Sequence, residues 1–157
     1  MISKKRMGLL AGMLIGSMVA VMPVQASSIL DEVTGTETTE DFAEDTNSIL
    51  ARSSHLGLGK MRISKLASNK INIYGLTQCH HECDKAYLEI YLEQKVGNSY
   101  GTYKYWEFDA SNVTSLEKSI NVIVPSGHYY RVRGYHAAKE GTTKESTTTL
   151  TSGVLVN

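Results

Sequence analysis

The stretch that most constrains this chain runs from Pro125 to His136, Pro-Ser-Gly-His-Tyr-Tyr-Arg-Val-Arg-Gly-Tyr-His. Pro125 and Gly127 mark a turn, because proline fixes φ and glycine takes φ > 0 without steric cost. Beyond the turn, one parity carries Tyr130, Val132, Gly134 and His136, and the other Tyr129, Arg131, Arg133 and Tyr135. Alternate residues of a strand point to opposite faces. The arginines therefore face water or a partner, and Tyr130 and Val132 face a core. Such a segment needs a half-buried sheet around it.

The flanking sequence supplies that sheet. Met61, Ile63 and Leu66 suggest a first strand, and Ile71, Ile73 and Gly75 alternate with Asn72, Tyr74 and Leu76 in a second. Ala86, Leu88, Ile90 and Leu92 alternate with Tyr87, Glu89, Tyr91 and Glu93 in a third, the cleanest period-two pattern of the chain. The polar tract at 97–101 turns into a fourth strand, Tyr103 to Phe108, and Ile120, Val122 and Val124 make a fifth. The Tyr130 strand is the sixth and Thr147 to Val156 the last. No stretch has sustained helical periodicity. The order Pro, Gly, Tyr, x, Val, x, small resembles the entry to strand F of fibronectin type III and other immunoglobulin-like sandwiches, where a tyrosine hydroxyl bonds back to the upstream corner. Tyr129 and Tyr130 both stand near enough to Pro125, and parity favours Tyr130; an edge strand rich in tyrosine has the same composition. The expected fold is all-β, an immunoglobulin/fibronectin type III-like sandwich of about seven strands.

Ahead of this domain, residues 1–26 read as a secretory signal peptide. Lys4, Lys5 and Arg6 precede the uncharged Met7–Met22, and Val24-Gln25-Ala26 is a small-x-small cleavage site. The apolar run falls short of the ~20 residues that span a bilayer and is interrupted by Gly12, Gly16 and Ser17. The expectation is a secreted, extracellular protein with no membrane association after cleavage. Residues 27–56 read as an acidic flexible arm, with Asp31, Glu32, Glu37, Glu40, Asp41, Glu44 and Asp45 unbalanced by any basic residue up to position 50. Residues 57–157 read as the sandwich domain.

The whole domain resembles an uncharacterised family of small secreted bacterial proteins. The resemblance spans roughly Arg52 to Val156 and rests on Gly75-Leu76-Thr77, His81 with Cys83-Asp84-Lys85, Tyr91-Leu92-Glu93, the Tyr129–Gly134 run with His136, and Glu145-Ser146 before Thr151. It implies secretion and a β-sandwich, and it brings no catalytic residue or cofactor.

Cys79-His80-His81-Glu82-Cys83 is the densest set of ligand-type residues. Four donors within five residues crowd an ion from one side, and the second pair usual in zinc sites is missing. His128 and His136 are remote candidates. The simpler reading is a loop between the second and third strands, with Cys79 and Cys83 joined in a small disulfide or left as thiols and His80 and His81 as weak metal candidates. A zinc-protease motif fails, since Lys85 stands where its second histidine belongs. Gly97-Asn98-Ser99-Tyr100-Gly101 spells Gly-x-Ser-x-Gly, but it stands between two strand patterns rather than at the strand-to-helix turn a nucleophile elbow needs, and there is no phosphate-cradling glycine loop. Asn112-Val113-Thr114 fits a glycosylation sequon and is read as coincidence.

A sheet face is the more useful candidate. If the third and sixth strands are antiparallel neighbours, Tyr87, Glu89, Tyr91 and Glu93 meet Tyr129, Arg131, Arg133 and Tyr135. Cross-strand Glu–Arg pairs explain that pattern as a solvated face. The functional reading is a platform for sugar rings or a protein, with Tyr87, Tyr91, Tyr129, Arg131, Arg133 and Tyr135 as binding residues. Residues 51–157 carry a net charge of only +4 and follow an acidic segment, which disfavours nucleic acid. The expected protein is non-enzymatic, without cofactor, and binds a cell-wall glycan or a surface protein. The alternatives are a secreted antibacterial or toxin-like effector and a metal-binding protein built on Cys79–Cys83.

Overall fold

The computed structural model describes residues 37–48 and 53–157, so the signal peptide expected at 1–26 lies outside the described residues. Among the described residues every element is a strand: β1 (Glu37–Thr38), β2 (Phe42–Ser48), β3 (Leu56–Ala67), β4 (Lys70–Val96), β5 (Ser99–Ile123), β6 (His128–Glu140), β7 (Thr143–Leu150) and β8 (Gly153–Val156). The all-β expectation holds.

The long antiparallel ribbon β4–β5 organises the sheet. Gly97 and Asn98 close it, with Val96 opposite Ser99 and Gly97 at φ 62°. Glycine at the first position of a two-residue turn meets the positive φ that matches the strand twist. β5 pairs with β4 on both sides of a break in register between Gln78 and Cys83. Before the break the other edge of β4 pairs with β3, and after it with β6. The sheet thus has two halves that share one ribbon. β2 extends the first half beside β3, while β7 and β8 extend the second beside β6, and β1 lies parallel to β8. All eight strands belong to one hydrogen-bonded sheet, which curls nearly closed into a barrel. Side chains bridge the seam: Asp45 Oδ2 accepts from Leu150 N at 2.8 Å, and Asn47 Nδ2 donates to Thr148 O at 3.3 Å.

The period-two readings hold inside this frame. Met61, Ile63, Ile71, Ile73, Leu88, Ile90, Leu92, Tyr130, Val132, Val154 and Val156 point inward and are fully buried in one cluster. The Tyr130 hydroxyl donates to Pro125 O at 2.9 Å, the corner bond expected of it.

Three expectations change. The second and third strands are one continuous β4, and the fourth and fifth are one β5, because the ribbon bends rather than ends. The Cys79–Cys83 loop is therefore a bulge within a strand. Asn112 lies on β5 one residue before the Cys83 partner Val113, and its φ of 54° absorbs the bend on that side. Asparagine tolerates this left-handed conformation better than most residues. Lastly, residues 37–48 of the expected flexible arm form β1 and β2. All seven residues of β2 pair with β3, and Lys60–Glu44 and Lys65–Asp41 ion pairs place the acidic side chains against basic ones.

Candidate functional site

The two strands expected to meet do so: Glu89 lies opposite Tyr135, Tyr91 opposite Arg133 and Glu93 opposite Arg131. Arg131 Nε and Arg133 Nε donate to the two oxygens of Glu93 at 2.6 and 3.0 Å. The Glu93 and Arg131 side chains are only 8% and 11% exposed, so this pair is withdrawn from water. The cations also cover the rings. The Arg133 guanidinium lies 4.1 Å from the Tyr91 centroid, Arg131 4.1 Å from Tyr100, and Lys144 4.3 Å from Tyr87 and 5.5 Å from Tyr135. Lys95 lies 5.7 Å from Tyr129. Tyr91 also packs on Tyr105 at 4.7 Å. Tyr87, Tyr91, Tyr129, Arg131, Arg133 and Tyr135 thus share one outer face of the sheet.

Three hydroxyls of this face, those of Tyr91, Tyr100 and Tyr105, are held toward the protonated form. Glu89 accepts the Tyr91 hydroxyl at 2.7 Å and raises its pKa, and Glu107 does the same for Tyr105. Burial, then the Glu37 carboxylate, raises Tyr100. Tyr100, Tyr105 and Lys144 belong to the face although the sequence did not assign them to it. Tyr105 lay within the expected fourth strand, but Tyr100 fell in the tract read as a turn and Lys144 ahead of the expected last strand, and the pairing that brings them beside β4 and β6 was not visible.

The cysteine segment is a second locus. Cys79 and Cys83 are both buried free thiols. Burial pushes Cys79 up to about 12, with Cys83 adding to the shift. Burial also raises Cys83, opposed by its hydrogen bond to Cys79 and reinforced by the charges of Glu140, Glu145 and Asp84. His81 is exposed at the mouth of the bend, where one of its ring nitrogens, Cys83 Sγ and a Glu140 carboxylate oxygen all lie within 4.8 Å of one another. His81 Nε2 is 3.0 Å from His55 Nδ1, and its Nδ1 is 2.8 Å from Glu82 O.

Glu145 fixes the chain entering β3. Its carboxylate accepts from Ser54 N at 2.9 Å, from His55 N and Leu56 N at 2.8 Å, and from the Ser53 hydroxyl. Burial alone would raise this acid, but the Ser53 hydroxyl and the three backbone donors hold it down at about 2. Of these residues, sequence reasoning singled out His81 and Cys83 and missed His55 and Glu140, which reach the bend from the entry to β3 and the end of β6.

Residues 31–154 match the family of unknown function DUF6147. The chain belongs to that family. The family match takes in β1 to β7 and the first two residues of β8, so the acidic segment 37–48 is part of the family's domain. No curated protein and no solved structure matches the chain.

The two remote histidines do not join the cysteine segment. His128 opens β6, at the end away from Lys139, which lies opposite Lys85. His136 is fully buried in the core, with Nδ1 3.0 Å from Thr77 Oγ1 and Nε2 2.9 Å from Thr149 Oγ1. Thr77 gives its one proton to Tyr87 O at 2.9 Å, so His136 donates from Nδ1 and accepts from Thr149 at Nε2. Burial keeps the ring neutral, with a pKa lowered to about 4. A Cβ at Gly59 or Gly134 would lie 2.4 or 2.6 Å from the ring, so both positions need glycine for the imidazole to fit between β3 and β6. His136 is a satisfied core histidine. His80 is exposed and turned toward Gly57.

Proposed function

We propose that this protein is a secreted binding module of the immunoglobulin/fibronectin type III-like kind, acting by binding rather than by catalysis. Its partner is an extracellular or cell-surface glycan, docked on the face of β4, β5, β6 and β7. The sandwich reading is supported by the two halves of the sheet, whose inward residues share one core, and by the Tyr130–Pro125 corner bond. The signal-like residues 1–26 support secretion.

The observation that carries the binding reading is the Tyr91–Tyr105 pair at 4.7 Å with Arg133 over Tyr91 at 4.1 Å. Tyrosine has few rotatable bonds, and rings already held by cations and neighbours lose little further freedom on docking. The CH faces of a pyranose stack on such rings. Its hydroxyls can donate to Glu89 and Glu107 and accept from Arg133 and Lys144.

The test is co-sedimentation of the protein with insoluble cell-wall and polysaccharide preparations. A Tyr87→Ala/Tyr91→Ala variant with an unchanged melting curve should lose more than about tenfold in affinity. Equal retention of parent and variant makes the face a structural one. Absence of retention for both removes the glycan and leaves a protein partner.

A further inference from the structure

We infer that the bend of β4 carries a mixed-ligand site for one zinc-class divalent ion, held by His81 Nε2, Cys83 Sγ and Glu140, with His55 Nδ1 as the fourth donor. The site is separate from the tyrosine face and does not depend on the binding reading. Three chain segments converge there and supply four donors: the residue before β3, two positions of the β4 bulge and the last residue of β6. Ligand atoms of His81, Cys83 and Glu140 already lie within 4.8 Å of one another. Donors on one tetrahedral ion with bonds of roughly 2.0–2.3 Å sit about 3.3–3.8 Å apart, so closure needs about 1 Å of side-chain movement.

The surroundings prepare these donors. His81 Nδ1 gives its proton to the Glu82 carbonyl, which leaves Nε2 with the lone pair a metal takes. His55 Nδ1 is already 3.0 Å from that nitrogen, close to the spacing of two imidazoles on one ion. The backbone N–H groups of 54–56 on Glu145 hold the chain at His55. The Glu140 carboxylate accepts from Asp84 N at 3.1 Å, and Asp84 accepts from Gly141 N at 2.8 Å, which ties the end of β6 to the bulge.

Charge points the same way. Among the described residues, Lys and Arg form ion pairs with Glu37, Asp41, Glu44, Glu93 and Asp109, and none with Asp84, Glu140 or Glu145. Three carboxylates thus surround a buried thiol with no cation paired to them. A divalent ion supplies that cation and takes the thiol as thiolate, releasing one proton to solvent. Two imidazoles, a thiolate and one carboxylate suit zinc rather than magnesium or calcium, which prefer all-oxygen shells.

The experiment titrates the reduced full-length chain with Co(II) under argon and follows its absorption spectrum, then displaces Co(II) with Zn(II). The expected result is one equivalent bound, with intense tetrahedral d–d bands and a thiolate-to-cobalt charge-transfer band. Cys83→Ser should abolish the charge-transfer band. His81→Gln, Glu140→Gln and His55→Gln should each weaken binding at least about tenfold. Cys79→Ser and His80→Gln should leave the spectrum unchanged. The inference is overturned if the reduced chain takes up no ion, or if the band follows Cys79 or His80. If Cys83→Ser fails to fold, the exposed His81→Gln variant decides: unchanged affinity there also overturns it.

Discussion

The outer surfaces of the two halves of the sheet follow the same alternation and carry different side chains. Over β2, β3 and the first stretch of β4, short polar groups satisfy their own neighbours. Asn72 donates to Ser119 and Asn121 at 2.9 Å, Lys60 pairs with Glu44 at 2.9 Å, and Tyr74 donates to Glu117 at 2.9 Å. They leave a shallow depression lined by Glu44, Lys60, Arg62, Ser64, Asn72 and Tyr74. Over the second stretch of β4 with β5, β6 and β7, six tyrosines and their covering cations make a broad surface of rigid rings. Both halves are paired sheet, so pairing alone does not make a docking surface. What sets the tyrosine half apart, and what the proposed binding rests on, is large side chains with few rotatable bonds already held in place.

The sharpest way to break this comparison is to remove one charge from each half. Arg131→Ala leaves the 8%-exposed Glu93 with Arg133 alone, and should cost roughly 1.5–3 kcal/mol in denaturant unfolding. Lys60→Ala breaks an exposed pair and should cost under about 1 kcal/mol. Equal losses would mean that the tyrosine half is no more tightly organised than the other.

A second prediction concerns His136, which fills the space between β3 of one half and β6 of the other. The unfolded imidazole takes a proton near 6.5 and the folded one not until about 4. Between those values the unfolded chain holds more protons, so stability is full above pH 6.5 and falls as pH drops toward 4. The whole loss is roughly 3 kcal/mol. His136→Gln should flatten that part of the stability–pH curve, and a curve of unchanged slope would remove the histidine as its cause.

A smaller effect is expected at the corner. Tyr130→Phe keeps the buried ring and deletes the bond to Pro125 O, which should cost about 1 kcal/mol of unfolding free energy.

The sequence made the second half far more legible than the first. Leu88, Ile90, Leu92 and Tyr130, Val132 give inward runs against charged outward ones, which identifies two half-buried strands and makes the Glu93–Arg131 meeting predictable. β2 offered no such signal: its sequence, Phe-Ala-Glu-Asp-Thr-Asn-Ser, buries only Ala43. What holds it is the ladder to β3 and the Asp45 and Asn47 bridges to β7, which arise only in the folded chain. Composition alone therefore made it an arm. The Cys79–Cys83 segment was misread for a related reason. Exposed Gln78, His80, His81 and Glu82 look like a loop, and a bulge in a two-stranded ribbon exposes the same residues while keeping the strand intact. His55 and Glu140 are separated from that segment by whole strands, so local spacing carries no trace of them.

The ribbon shared by the two halves has a kinetic consequence. One turn at Gly97-Asn98 can start a zipper that extends outward through both halves, so loop-closure entropy for that long ladder is met once, at its shortest loop. The β2–β7 seam instead joins residues about a hundred positions apart, as in Asn47 to Thr148, and should form last. Gly97→Val, strained at φ 62°, should then mainly slow refolding, whereas Asn47→Ala should mainly speed unfolding. A stopped-flow chevron in which these roles are reversed would rule out this order. If it holds, neither half exists as an independent folding unit, and the chain reaches its native state by closing around a hairpin already made.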